Sequence, residues 1–132
     1  MKKTLRVVGS LLVGYLVIVI GAIIGQDLFF GGVSSYYESS AFTLWVAGGL
    51  TALGAVAGGA AMAWASKFHP WVSVGLLGAW LAFERILLAR QGVLDNPVWF
   101  DVVAGGSVIA GVTLGTFLYV SYGKRRLSRD LR

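Results

Sequence analysis

Residues 70–89, PWVSVGLLGAWLAFERILLA, decide the fold class of this chain. Twenty predominantly apolar residues form a helix of about 30 Å, which matches the hydrocarbon thickness of a bilayer. The only ionisable residues in the stretch are Glu84 and Arg85. Because a charge at the centre of a spanning helix costs ~2.5 to 3.5 kcal/mol, an acid and a base at this position are the first place to look for function.

The rest of the chain has the same character. It has 132 residues, of which 57% are hydrophobic and 13% are charged, whereas about 25% are charged in soluble domains. Residues 7–25, 41–65 and 98–122 are also long and apolar enough to cross the membrane. The sequence therefore predicts an all-α polytopic membrane protein, a single transmembrane domain over residues 1–132 with a four-helix bundle and a basic tail at 123–132.

The distribution of charge predicts the orientation. Nine of the eleven Lys and Arg residues lie on one side of the four-span arrangement, and of the six acids only Asp130 joins them. The nine are Lys2, Lys3, Arg6, Lys67, Lys124, Arg125, Arg126, Arg129 and Arg132. The positive-inside rule then predicts a protein of the cell (inner) membrane with both termini cytoplasmic. The net charge of +5 and the tail KRRLSRDLR favour contact with anionic lipid over binding of nucleic acid.

The N-terminus has two interpretations, a signal peptide or a first membrane-spanning helix. MKKTLR followed by an apolar run resembles a signal peptide, but the run is longer than the usual ~7 to 15 residues and no A-x-A-like site precedes Gln26. We therefore interpret it as the first helix.

The chain has no Cys and one His, His69, which lies in an inner turn before Pro70. We expect no cofactor and no metal, and we expect His69 to be a surface loop residue.

The second and fourth predicted spans share the pattern VAGG-x4-G-x3-G, which begins at Val46 and again at Val103. Both spans run from the outer to the inner side, so the chain could consist of two parallel helical-hairpin repeats. The alternative is a chance match between glycine-rich helices. The two hypotheses stay open on the sequence alone.

Small residues four apart let helix backbones approach closely in a membrane, where lipid is as apolar as Leu and packing drives association. Gly54 with Gly58, and Gly111 with Gly115, have this spacing. The second helix has small residues on more than one face, so we expect it at the centre of the bundle or against a partner. The predicted helix-packing glycines are Gly48, Gly49, Gly54, Gly58, Gly105, Gly106, Gly111 and Gly115.

The acid and base of the third span are predicted to face different ways. At 100° per residue, Arg85 shares a face with the small residues Gly78, Ala82 and Ala89, which should pack inward, and Glu84 is rotated away. Arg85 and Asp101 lie at similar depth on helices joined by a short hairpin. We therefore predict an ion pair between them, with Asp27 as a second acceptor. Glu84 has no obvious basic partner; it is protonated, or it faces an aqueous cavity or a second subunit.

The polar cluster of Glu84, Arg85, Asp101 and Asp27 admits two interpretations. One is a proton or ion relay in the outer half of the membrane. The other is a structural cluster that locks helices together, which we favour because a transport path also needs polar groups in the inner half. There the helices offer only Ser10, Ser73, Thr113 and Thr116.

The chain resembles small uncharacterised four-helix proteins of bacterial inner membranes. The resemblance lies in Gly48-Gly49 with Gly58-Gly59, before a cytoplasmic turn, and in Pro97-Val98-Trp99-Phe100, which opens the last helix. It implies a fold and no activity. Small multidrug exporters carry a glutamate in the first helix that this chain lacks, and the Asn and Phe-Thr pattern of fluoride channels is absent. Phage holins share the size and the basic tail.

Three functions follow in order of preference. We expect a non-enzymatic membrane protein, an accessory or scaffold subunit that acts through helix packing as a homo-oligomer or with another membrane protein. A dimeric small-solute or ion transporter or channel with Glu84 on its path comes second. An enzyme comes third, because no nucleophile, base and orienting group converge in the sequence.

Overall fold

The computed structural model describes residues 2–28, 37–66, 69–92 and 96–130. Within these ranges the chain forms four helices: α1 (Lys2–Ile23), α2 (Ala41–Ser66), α3 (Pro70–Arg90) and α4 (Val98–Asp130). A π-helical segment, Ile24–Leu28, continues α1. All four helices are long and apolar enough to cross a membrane. The predicted all-α, four-helix multi-pass membrane protein is confirmed.

The helices begin and end at residues with the expected local chemistry. Ser40 caps α2, because its Oγ accepts a hydrogen bond of 3.1 Å from the backbone N–H of Thr43. Pro70 occupies the first turn of α3 and Pro97 directly precedes α4. Gly92 follows α3 with φ of 67°, a left-handed conformation that ends helices and that glycine adopts without strain.

The structure extends two helices beyond their predicted ends. Helix α1 begins at Lys2 rather than near residue 7, and α4 continues to Asp130 through most of the predicted basic tail. Lys and Arg are good helix formers, and cations are favourable at a helix C-terminus. The same basic residues that predict the cytoplasmic side therefore prolong the helix.

Burial in this bundle is the reverse of that in a water-soluble protein. Several buried side chains are small or polar, including Ser10, Ser73 and Ala55, whereas Trp45 is 82% exposed and Val98 is 79% exposed. Large apolar side chains on the outside and small residues between the helices are expected where the surroundings are lipid. This pattern agrees with the four spans.

Helix α2 is the centre of the bundle, as predicted, and packs most extensively on α1 and α4. On the α1 side, a Cβ added at Gly21 would lie 2.9 Å from the Cα of Gly54. A Cβ at Gly58 would lie 2.9 Å from the carbonyl oxygen of Gly14. These distances leave no room for a side chain, so the α1–α2 contact depends on glycine.

The α2–α4 contact is closer still. A Cβ at Gly59 would overlap the carbonyl of Val112, and a Cβ at Gly115 would overlap the carbonyl of Val56. Each helix thus offers a glycine against the backbone of the other. Two reciprocal contacts of this kind fix α2 and α4 at a short separation.

The glycines that match in the two VAGG-x4-G-x3-G patterns do not make matching contacts. Gly54 and Gly58 face α1, the helix that precedes their own. Gly111 and Gly115 face α2 and not α3, and a Cβ at Gly111 would lie 2.9 Å from that of Ala55. Helices α2 and α4 therefore pack against each other, and the contacts of their glycines do not support two equivalent hairpins.

The prediction that all eight glycines pack between helices is wrong for four of them within this chain. A Cβ at Gly48, Gly49, Gly105 or Gly106 would meet no atom within 4 Å. These four lie nearer the N-terminal ends of α2 and α4 than the close contacts do. Helix α3 is also loosely held, with far fewer neighbours than α1 or α4 has on α2.

Candidate functional site

Polar side chains meet in the interface between α1 and α3. The hydroxyls of Ser10 and Ser73 lie 3.0 Å apart, and both side chains are buried. Ser10 donates its one proton to the carbonyl of Val7 at 2.7 Å, so Ser73 is the donor to Ser10. This short chain of hydrogen bonds lies in the cytoplasmic half of the predicted topology and joins the loosely held α3 to α1.

Glu84 belongs to the same interface. Its carboxylate lies close enough to the hydroxyl of Tyr15 on α1 for an electrostatic interaction between them. Ser10 and Tyr15 are the only residues with polar side-chain atoms in the predicted first span, residues 7–25, and both contact α3. Tyr15 thus stands out in the sequence as a polar residue of the first span. Because it is neutral, it does not fit the expectation of a basic partner for Glu84.

Ser73, Leu77 and Glu84 lie on one face of α3, on which Ser73 contacts Ser10 of α1. Ser73 and Leu77 are buried, and Glu84, seven residues after Leu77, lies two turns further along the same face and is half-buried. The prediction that Glu84 turns away from the packed face is wrong. Serine and leucine, rather than the small stripe around Arg85, form the better-packed side of α3.

Arg85 and Asp101 lie on opposite walls of one cleft between α3 and α4, which we call the α3–α4 cleft. The cleft has a volume of about 390 Å³. Small residues contribute to its walls: Ala82, Ala89, Gly105 and Gly106. The small stripe of α3, which is predicted to pack inward, thus faces α4 across open space.

The predicted ion pair between Arg85 and Asp101 is not formed. Asp101 accepts a hydrogen bond of 3.3 Å from the side-chain amide of Asn96, and among the described residues Arg85 has no hydrogen-bond or ion-pair partner. Arg85 and Asp101 do line the same cleft, as their similar depths in the membrane predict. The close packing of α4 on α2, and not on α3, leaves the cleft open between them.

Asp27 stands apart from both places. It lies in the π-helical segment after α1 and is exposed, and it does not line the α3–α4 cleft. In the described part of the chain no three His, Cys, Asp or Glu side chains come together as a metal site would require. The predicted four-residue cluster is therefore divided between the α1–α3 interface, the α3–α4 cleft and the end of α1.

Two further polar contacts join α2 to its neighbours. The Thr116 hydroxyl donates a buried hydrogen bond of 3.0 Å to the carbonyl of Gly59, next to the close contact at Gly115. The Gln26 amide, in the π-helical segment that continues α1, donates to the Thr51 hydroxyl at 3.3 Å. These bonds serve packing, since each buried side-chain polar atom in the described ranges has a partner.

Comparisons of the chain with protein-family models, with curated proteins and with solved structures gave no match. The function is therefore inferred from the arrangement of the side chains. This arrangement comprises a glycine-packed unit of α1, α2 and α4, a loosely held α3 with Glu84 on one flank, and a charged cleft on the other flank.

Proposed function

We propose that this protein is a non-enzymatic integral membrane protein that acts by helix packing, as an oligomeric scaffold or an accessory subunit of a membrane assembly. The observation that carries the proposal is the α3–α4 cleft, an open groove with a charge on each wall and small residues between them. Such a surface is costly to leave against lipid and well suited to another helix.

The energetics of the cleft support association over isolation. Arg85 is exposed within a spanning helix, and its charge has no counterpart among the described side chains. A second protein surface that supplies charges and hydrogen bonds at the same depth lowers the free-energy cost of holding the Arg85 side chain within the membrane. The loosely held α3 can also adjust its position when a partner binds, because few contacts fix it to the rest of the bundle.

We also propose where in the cell the protein is located. We assign it to the cell (inner) membrane with both termini in the cytoplasm, where the Lys- and Arg-rich end of α4 meets anionic lipid. The support is the one-sided distribution of basic residues along the chain.

Crosslinking in native membranes at native expression level tests the proposal. We expect a species heavier than the monomer that survives dilution of the membrane protein with added lipid. A chain that crosslinks to no protein under these conditions, while a known oligomer in the same membranes does, would contradict the proposed function.

A second candidate is an ion or small-solute transporter in which Glu84 lies on the path. The specific observation in its favour is the row of polar groups between α1 and α3, from the Ser10–Ser73 pair to Tyr15 and Glu84. Against it, both serines are buried and already hydrogen-bonded to each other, and they leave no free polar group for a solute.

Flux into proteoliposomes separates this candidate from the first. If Glu84 carries a proton or binds a solute, Glu84→Gln abolishes flux and Asp101→Asn, a matched loss of a carboxylate outside the α1–α3 interface, leaves it intact. Equal flux from wild-type protein and from both variants would exclude the role for Glu84.

A further inference from the structure

We infer that a second copy of this chain packs against the α3–α4 cleft, with Arg85 of each copy paired to Asp101 of the other. The inference rests on the proposed function and names its partner. Arg85 and Asp101, which do not pair with each other among the described residues of one chain, would then form two exchanged ion pairs.

The charges of the cleft make its surface self-complementary. One wall carries a cation, Arg85, and the other an anion, Asp101, whose only partner among the described residues is the neutral amide of Asn96. A two-fold axis brings the positive wall of one copy against the negative wall of the other, and does so twice. The resulting interface is neutral, and each charge in it has a partner.

The depths of the two residues fit such an axis. Arg85 lies five residues before the end of α3 at Arg90, and Asp101 lies three residues after the start of α4 at Val98. At 1.5 Å per residue these positions are about 8 Å and 5 Å from the outer helix ends. A two-fold axis along the membrane normal preserves depth, so the residues of opposite copies meet at nearly the same level.

The small residues of the cleft allow the approach. Helix α4 uses Gly111 and Gly115 to contact α2, but Gly105 and Gly106 have no neighbour within 4 Å of an added Cβ. Glycine is less favourable than alanine inside a helix unless close packing compensates for it. A helix of a second copy provides that packing. Lipid tails do not, and they carry no charges for the two walls.

Single charge reversals test the exchange of partners. Arg85→Glu leaves two acids on the cleft, and Asp101→Arg leaves two bases, so like charges meet when either variant pairs with itself. We expect the dissociation constant in liposomes, from energy transfer between labelled copies at increasing lipid dilution, to rise on the order of a hundredfold for each variant alone. A mixture of the two variants restores association, because both exchanged pairs then join opposite charges.

Arg90→Glu is the matched control, since it makes the same charge change on the same helix outside the cleft. We expect it to leave association at the wild-type level. Loss of association in both cleft variants without rescue on mixing would overturn the inference, because it would show that the two charges support the fold of each copy and do not pair between copies. Wild-type association that is insensitive to both reversals would overturn it and leave the proposed function standing, whereas a wild-type chain that binds no protein at all contradicts both.

Cysteine crosslinking provides a test that reverses no charge, and the absence of native Cys makes every substitution specific. A copy with Arg85→Cys and a differently tagged copy with Asp101→Cys retain one exchanged ion pair, and their cysteines face each other at the position of the other pair. A short bifunctional thiol reagent should give a crosslinked species that carries both tags, because an arginine–aspartate pair holds its Cα atoms further apart than a direct disulfide allows. A monomer that retains bound phospholipid only while Arg85 is present, with no such species, would overturn the inference in favour of a lipid site.

Discussion

Substitution of Gly115 by alanine tests the packing at the centre of the bundle. The added methyl group overlaps the Val56 carbonyl and lies 3.0 Å from the backbone nitrogen of Ala60, so backbone and not a flexible side chain opposes it. Overpacking of this kind costs about 1 to 3 kcal/mol, and the better helix propensity of alanine offsets roughly 0.5 to 1 kcal/mol. We expect a net loss of about 1 to 2 kcal/mol in the free energy of unfolding.

The matched control is Gly49→Ala on α2, where the same methyl group meets no atom within 4 Å. There only the propensity gain remains, so we expect stability unchanged or raised by up to about 1 kcal/mol. Unfolding of the purified protein in mixed micelles, titrated with a denaturing detergent and followed by far-ultraviolet circular dichroism, measures both variants. Equal effects of the two substitutions, or a stabilising effect of Gly115→Ala, would refute the close α2–α4 contact.

Three other outcomes follow from the same structure. Thr116→Val removes the hydrogen bond to the Gly59 carbonyl and should lower the free energy of unfolding by about 0.6 kcal/mol, the average for such bonds in membrane proteins; no change beyond error would show that the bond is absent. Ser10→Ala and Ser73→Ala should be non-additive in a double-mutant cycle, with a coupling free energy of similar size, and strict additivity would argue against direct contact. Reporter fusions should place both termini in the cytoplasm, and a periplasmic signal from either would reverse the proposed orientation.

Much of the architecture could be predicted from the sequence because a membrane restricts the choices. Four long apolar runs require four helices, and Pro70 and Pro97 mark where two of them begin. The glycine spacing of Gly54 with Gly58 indicated close packing of α2, and the structure places α2 at the centre with those glycines against α1.

The candidate site was harder to predict, because periodicity gives the relative angles of side chains and not the helix that each face meets. Arg85 shares a stripe with small residues, and this stripe faces α4 across an open cleft, because Gly111 and Gly115 hold α4 against α2. Glu84 lies near the neutral Tyr15 on α1, and helix phase alone cannot predict this approach of two helices that are not consecutive in the chain.

The central claim is that the α3–α4 cleft binds protein, and a photocrosslinking residue at Val102 tests it most directly. Val102 lines the cleft and is 67% exposed, and Leu12 on α1, 59% exposed and outside the cleft, serves as the control position. In native membranes we predict a protein adduct from position 102, at about twice the 14.0 kDa monomer if the partner is a second copy, and none from position 12. Lipid adducts alone at position 102, or equal protein adducts from both positions, would contradict the account.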